Sequence, residues 1–272
     1  MSSADQLGEW LHANWNVAVI AIFAVLGLIE LIFGSRTRLA NTGLDRLATN
    51  FGLQFSNILV VMALPISLSG IAIMAPEAGP ALVGKWQLPG WIVLAAVILG
   101  RTFLAYWLHR LEHAVPLLWR FHKVHHTDPQ LDITTGLRHH PVETLLVLAT
   151  YGALLLLFSP PIWAFAIAEL LMFANQLWQH VPMRRREWLA RPLGCIFATP
   201  ENHSVHHSSR RSQTDSNYGV LLIIWDRLFG TYTDPFSAGE MRYGLGDGED
   251  ARAANLLAQL CLPFMRARPA VD

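Results

Sequence analysis

The chain has 272 residues, of which 53% are hydrophobic and 15% charged. A soluble domain carries about 25% charged residues, so too little polar surface exists here to coat a water-soluble globule, and the composition indicates membrane residence. Lysine plus arginine balance aspartate plus glutamate at 20 each with no long like-charge block, which excludes a nucleic-acid footprint. Cys195 and Cys261 form no C-x-x-C and exclude an iron–sulfur or zinc–thiolate site.

In chain order, residues 15–34 (WNVAVIAIFAVLGLIELIFG) predict a first spanning helix. Residues 59–75 (LVVMALPISLSGIAIMA), entered through the more polar residues 51–58, predict a second, and residues 91–107 (WIVLAAVILGRTFLAYW) a third. Residues 144–158 and 162–178 are separated by Ser159-Pro160-Pro161. Two prolines end one helix and start the next, so this pair reads as a helical hairpin, crossing the membrane fully or only in part. The first apolar run begins too far in, behind acidic flanks, to read as a signal peptide.

Arginine placement orients the bundle. Arg36, Arg38 and Arg46 follow the first segment; Arg110, Arg120, Lys123 and Arg138 follow the third; Arg184, Arg185, Arg186 and Arg191 follow the hairpin. The loop between segments two and three holds only Lys85, and the N-terminal tail has Asp5 and Glu9 but no base. The positive-inside rule puts the N-terminus outside and the three basic regions in the cytoplasm. The triple arginine 184–186 reads as a topological anchor near anionic headgroups. The expected fold is an all-α integral membrane bundle of four or five apolar segments, one domain over residues 1–272, with a histidine-rich cytoplasmic cap.

All histidines except His12 lie between His109 and His207. His109 and His113 (HRLEH) are four apart, so both imidazoles share a helix face. His122, His125 and His126 (HKVHH) repeat that economy at i, i+3 and i+4, and His203, His206 and His207 (HSVHH) repeat it again. Eight imidazoles suffice for two metal ions and leave open positions. A structural zinc site is usually closed, four-coordinate and often thiolate-bound; spare coordination suits iron and dioxygen, although imidazole alone serves zinc, copper, iron and nickel. Glu112 and Glu143 lie beside these histidines and can orient ring N–H groups. Arg101, inside the third segment, needs a partner such as Glu30 or Glu169. A membrane metal transporter or metal-binding protein is the rival class, but it would place ligands inside the apolar segments.

HRLEH, HKVHH and HSVHH, in this order between apolar segments, resemble the membrane fatty acid hydroxylase/sterol desaturase family. LWRFHKVHHTD, RHHPVE, TPENHSVHHS, TDSNYG and WDRLFGTY extend the likeness to bacterial members, from about residue 106 to 232. The resemblance implies a di-iron centre, dioxygen as co-substrate and a membrane lipid substrate attacked at an unactivated C–H bond. It also implies an external electron donor, of ferredoxin or cytochrome type with its reductase. Hydroxylation is the expected outcome, with desaturation or ether-lipid cleavage the alternatives for the same metal site. By the same resemblance His140 and His180 join the metal ligands, His139 neighbours them, and Asp215, Asn217, Tyr218 and Asp226 support them. Relatives follow the histidine at 180 with x-Asn, where this chain has Val181-Pro182; Asn175 or Gln179 are the residues expected to stand in. The expected location is the bacterial inner membrane, with the histidines on the cytoplasmic side.

Overall fold

A computed structural model describes residues 3–34, 43–64, 88–183, 187–246 and 249–265. Among these, helices and turns account for the architecture, with only isolated β-bridges beside them. Arg36, Arg38, Lys85 and Arg184–Arg186, used above to orient the chain, lie outside the described residues.

Helix α1 (Ser3–Ala13) lies against the hairpin's second arm, where Gly8 lets the backbones approach. A Cβ there would come 3.0 Å from that of Trp163. Helix α2 (Trp15–Phe33) is the first apolar segment. Its Ile20 and Leu31 are 68% and 71% exposed, whereas Glu30, its one charged residue, is 4% exposed. Apolar outside and polar inside is the reverse of a water-soluble helix. Glu30 does not pair with Arg101; its Oε2 accepts the Ile133 N–H at 2.8 Å, satisfying an orphan donor at the start of a 3-10 turn (Ile133–Leu137).

The second helix differs from expectation. Helix α3 spans Leu44–Ala63, while most of the apolar run at 59–75 lies outside the described residues. It begins well upstream because its polar residues have a purpose: Arg46, Thr49, Asn50 and Asn57 form its buried face. Arg46 binds two carboxylates, Asp128 through Nη1 at 2.7 Å and Asp132 through Nη2. Asn50 donates to Asp128 and Thr134, and Asn57 to the His139 carbonyl.

Helix α4 (Gly90–Ala114) has 25 residues, about 37 Å of helix. That exceeds a hydrocarbon core of about 30 Å, so its last turns, which carry His109 and His113, continue past an apolar barrel. Helix α5 (Pro116–His126) follows, its proline at the first turn, where the missing N–H costs nothing. The break falls where predicted: α6 (Pro141–Phe158) and α7 (Ile162–Trp178) are joined through Ser159, a left-handed residue at φ 45°, and each arm packs on α4. Among the described residues three helices, α2, α4 and α6, are long and apolar enough to cross a membrane, and α7 is apolar but shorter.

Short helices α8 (Glu187–Leu193), α9 (Pro200–His206), α10 (Arg211–Thr214), α11 (Ile224–Leu228) and α12 (Leu256–Cys261) complete a polar layer. Arg138, fully buried, ties it together. Its guanidinium donates to the Val124 carbonyl, the Thr127 hydroxyl, Asn50 Oδ1 and the Ala253 carbonyl. One side chain thereby joins α3, α5 and the C-terminal segment.

Candidate metal centre

Nine histidines converge in two buried groups: His109, His113, His122, His126 and His206 in the first, and His125, His180, His203 and His207 in the second. The motifs do not each build one group. HKVHH gives its i, i+4 pair, His122 and His126, to the first group and His125 to the second. HSVHH does the converse, giving His203 and His207 to the second group and His206 to the first. The groups adjoin: the His126 and His207 rings stack 4.6 Å apart at 24°.

Most rings are aimed from behind. His109, His125, His180 and His206 direct Nδ1 at the carbonyls of Tyr218, Arg138, Gln176 and Ser216, at 2.6–3.1 Å. A carbonyl can only accept, so Nδ1 carries the proton and Nε2 keeps its lone pair. Carboxylates do the same for His113, through Asp215 at 3.2 Å, and for His122, through Glu143 at 3.0 Å and Glu112 at 3.5 Å. Burial pushes the His180 and His206 imidazoles down to about 3. Burial, and then their histidine neighbours, hold His125, His126, His203 and His207 well below the ordinary range. Burial thus favours the neutral imidazole at these six positions, the form that ligates a metal.

The lone pairs then face one another. Nε2 of His122 lies 3.0 Å from that of His109 and 3.2 Å from that of His126. In the second group Nε2 of His180 lies 3.0–3.2 Å from those of His203, His207 and His125. Such pairs repel unless a cation sits between them, and Nε2 of His113 and of His206 are buried without any partner. The ligand atoms of each group all lie within 4.8 Å of one another, close enough for one ion to be shared among them.

His140, expected among the ligands, stands in neither group. Pro141 opens α6, which makes His140 the N-cap; its Nδ1 accepts the Val142 N–H and its Nε2 faces the Leu260 carbonyl. The neighbouring His139 also stands in neither group but lies beside the second, stacked on His125 at 4.6 Å and 13°. Burial works against its protonation, but the Glu143 carboxylate beside its Nδ1, at 2.9 Å, raises it above the usual histidine value. Of the two amides expected to stand in for the missing asparagine, Gln179 lies at the site, its Nε2 3.2 Å from His203 Nε2. Asn175 instead braces the Ala198 carbonyl and the Leu221 N–H. Val181 packs into an apolar cluster with Ile133, Leu137 and Leu177.

The C-terminal loop is built around Asp226, which accepts the N–H groups of Tyr218 and Gly219 and the Thr231 hydroxyl at 2.7–2.8 Å. Asn217, at φ 54°, donates to the Asn202 and Thr233 carbonyls. Together they hold the Tyr218 carbonyl against His109. Burial raises the Asp226 carboxyl to about 6 from an ordinary 3.8. A raised carboxyl binds its proton more tightly folded than unfolded, so stability is highest below pH 4 on this account and falls as pH rises to 6. Thermal melts across that window should show the decline in the wild type and its absence in Asp226→Asn. Equal slopes would remove Asp226 as its source.

Sequence reasoning passed over the Ser216, Arg138 and Gln176 carbonyls, which have no side-chain signature, and it read Arg46 and Arg138 only as flanking charge. Arg101 pairs with Glu169, one of its two expected partners, through Nε and through Nη2 at 3.1 Å. This pair lines a cavity of about 560 Å³ that runs between α2, α3, α4, α6 and α7 to His109, His122, His125, His180 and His203.

The fatty acid hydroxylase family model matches residues 94–231. The ornithine lipid hydroxylase OlsE of Rhizobium tropici is 33% identical, the match covering 94% of this chain and 77% of the relative. The chain belongs to the fatty acid hydroxylase family. This family member is also 34% identical to human alkylglycerol monooxygenase over 54% of its own length, and 33% identical to the fatty acid hydroxylase vlmA of a Lecanicillium species over 55%. The matched region spans 32% of the human protein and 44% of vlmA. No solved structure matches the chain.

Proposed function

We propose that this chain is a single-domain integral membrane oxygenase that hydroxylates a C–H bond of a lipid, with two iron ions held by the nine converging histidines. The observation that carries the reading is the pair of adjoining imidazole groups, lone pairs inward, at the end of a cavity walled by membrane-type helices. Iron held there would supply the reductive activation of dioxygen and the removal of a hydrogen atom from an unactivated carbon.

The protein's own residues do the rest. Backbone carbonyls and the carboxylates of Glu112, Glu143 and Asp215 fix the tautomers of His109, His113, His122, His125, His180 and His206 and keep their Nε2 atoms aimed inward. Helices α2, α3, α4, α6 and α7 admit an apolar chain and keep bulk water from the histidines. The reaction calls for electrons from an external donor of ferredoxin or cytochrome type with its reductase. The arginine-rich loops support a cytoplasmic site in a bacterial inner membrane. The relative covering most of the chain is named for ornithine lipid, which makes amino-acid-derived lipids the first substrates to assay.

The test is to purify the chain after iron-supplemented growth, count iron, and follow oxygen-dependent lipid products by mass spectrometry. Two irons per chain and a lipid product gaining one oxygen are expected. A product lacking two hydrogens would assign desaturation instead, and absence of bound metal would overturn the reading.

A further inference from the structure

Helix α11 belongs to the polar layer by sequence order, but its packing places it deeper. Its Trp225 Nε1 donates to the Thr102 hydroxyl at 3.0 Å. The Trp225 and Phe229 rings lie 5.1 and 6.2 Å from that of Phe103, and Phe229 lies 5.1 Å from Trp107. Thr102 and Phe103 stand half-way along α4, a helix of 25 residues able to cross a membrane. A hydrocarbon core takes about 20 residues of helix, and however such a span is placed along α4, these two residues fall inside it. The segment packed on them shares their depth. So does the chain at 194–198, tied to it by the Ile223 N–H on the Ile196 carbonyl and the Ala198 N–H on the Leu221 carbonyl.

What faces outward there is apolar. Leu228 is 69% exposed and Ile196 51%, and Phe197 is exposed beside them in sequence. Phe103 touches both aromatic rings of α11 and is itself exposed on a spanning helix, so the two surfaces are continuous. Lipid that covers one covers the other. Trp188, exposed on the short helix α8 that leads into this region, is the residue type of a headgroup belt.

The backbone is accounted for as lipid demands. Non-helical chain is tolerated at membrane depth only where the protein itself satisfies its N–H and C=O groups. Asn175 of α7 does this on both sides, donating to the Ala198 carbonyl at 3.0 Å and accepting the Leu221 N–H at 2.7 Å. Arg227 Nη2 donates to the Gly194 carbonyl at 3.1 Å, and Asp226 takes the N–H groups of Tyr218 and Gly219. A loop in water needs none of these side chains, because solvent serves instead.

We propose that residues 194–198 and 220–229 form a wedge sunk in the bilayer beside α4, with Leu228, Ile196 and Phe197 against acyl chains. The partner of this surface is the lipid hydrocarbon, not water, a second copy of the chain or another protein. Asn175 thereby serves the wedge and not the histidines. The wedge carries Asp226, whose loop holds the Tyr218 carbonyl behind His109, so a surface embedded in lipid lies close in bonding to the histidine cluster.

The test places the fluorophore bimane on single cysteines of the full chain in vesicles of phosphatidylethanolamine and phosphatidylglycerol. Mid-chain brominated lipid and aqueous iodide are the two quenchers. Native Cys195, exposed next to Ile196, serves in Cys261→Ser and needs no new residue. Leu228→Cys is made with Cys195→Ser and Cys261→Ser, as are two references: Leu99→Cys, exposed on α4, and Arg211→Cys, exposed on α10. Brominated lipid should quench at Leu228 and Cys195 as strongly as at Leu99, and iodide should quench at Arg211 alone. Iodide quenching at Leu228 and Cys195 would put the segment in water and overturn the inference. Quenching there by neither agent means that protein covers the surface, which overturns it too. Should Leu228→Cys fail to fold, Cys195 decides by itself. No metal or lipid oxidation enters the readout, so the result is independent of the oxygenase reading.

Discussion

Replacing His125 and His126 together with alanine should abolish both of the proposed irons, whereas replacing His126 and His206 should leave one. Each double variant removes two imidazoles, but the first pair comes from one motif and two groups, the second from two motifs and one group. Were each motif its own site, the outcomes would be reversed. Iron per chain by elemental analysis therefore reads the interleaving directly, without an assay of activity. Lipid oxidation should fall more than about 100-fold in either double variant, since loss even of a supporting partner typically costs about 10–100-fold.

Arg46→Met should lower the thermal midpoint of the detergent-solubilised protein by about 10 °C. Arg46 pairs with Asp128 and Asp132, both buried, and its removal leaves Asp132 without its ion-pair partner and Asp128 with only the Arg138 charge nearby. Breaking a buried pair in this way costs about 3–5 kcal/mol, and a chain of this size loses about 2–4 °C per kcal/mol. Adding Asp132→Asn should recover part of the loss, because one of the stranded charges disappears. A midpoint unchanged in Arg46→Met, followed by tryptophan fluorescence, would show that the carboxylates find other partners.

The membrane helices and the hairpin were legible because long apolar runs and a double proline leave little choice of conformation. That the histidines gather was legible too, from helical spacing. Their division was not. Successive helical residues turn by about 100°, so positions i+3 and i+4 point about 60° to one side and about 40° to the other of position i. Spacing says that three imidazoles share a face, but a face that wide can look at two ions. His140 was misplaced for a different reason, and the signal for it was present: the residue before a proline that opens a helix is a cap, with its ring committed to the backbone. Arg46 and Arg138 looked like topological charge because their acidic and amide partners lie far off in sequence, where no local pattern links them.

The interleaving of the two motifs also sets an order in time. The first group needs His206 and the second needs His203 and His207, so a growing chain has neither group complete until residue 206 has been made, and not both until residue 207. By then α2, α4, α6 and α7 have all been synthesised and their apolar surfaces can be embedded. Before residue 203 the chain carries four of the first group's five histidines and two of the second group's four. The full ligand set for the proposed irons therefore exists only after the helices that wall the cavity have been made.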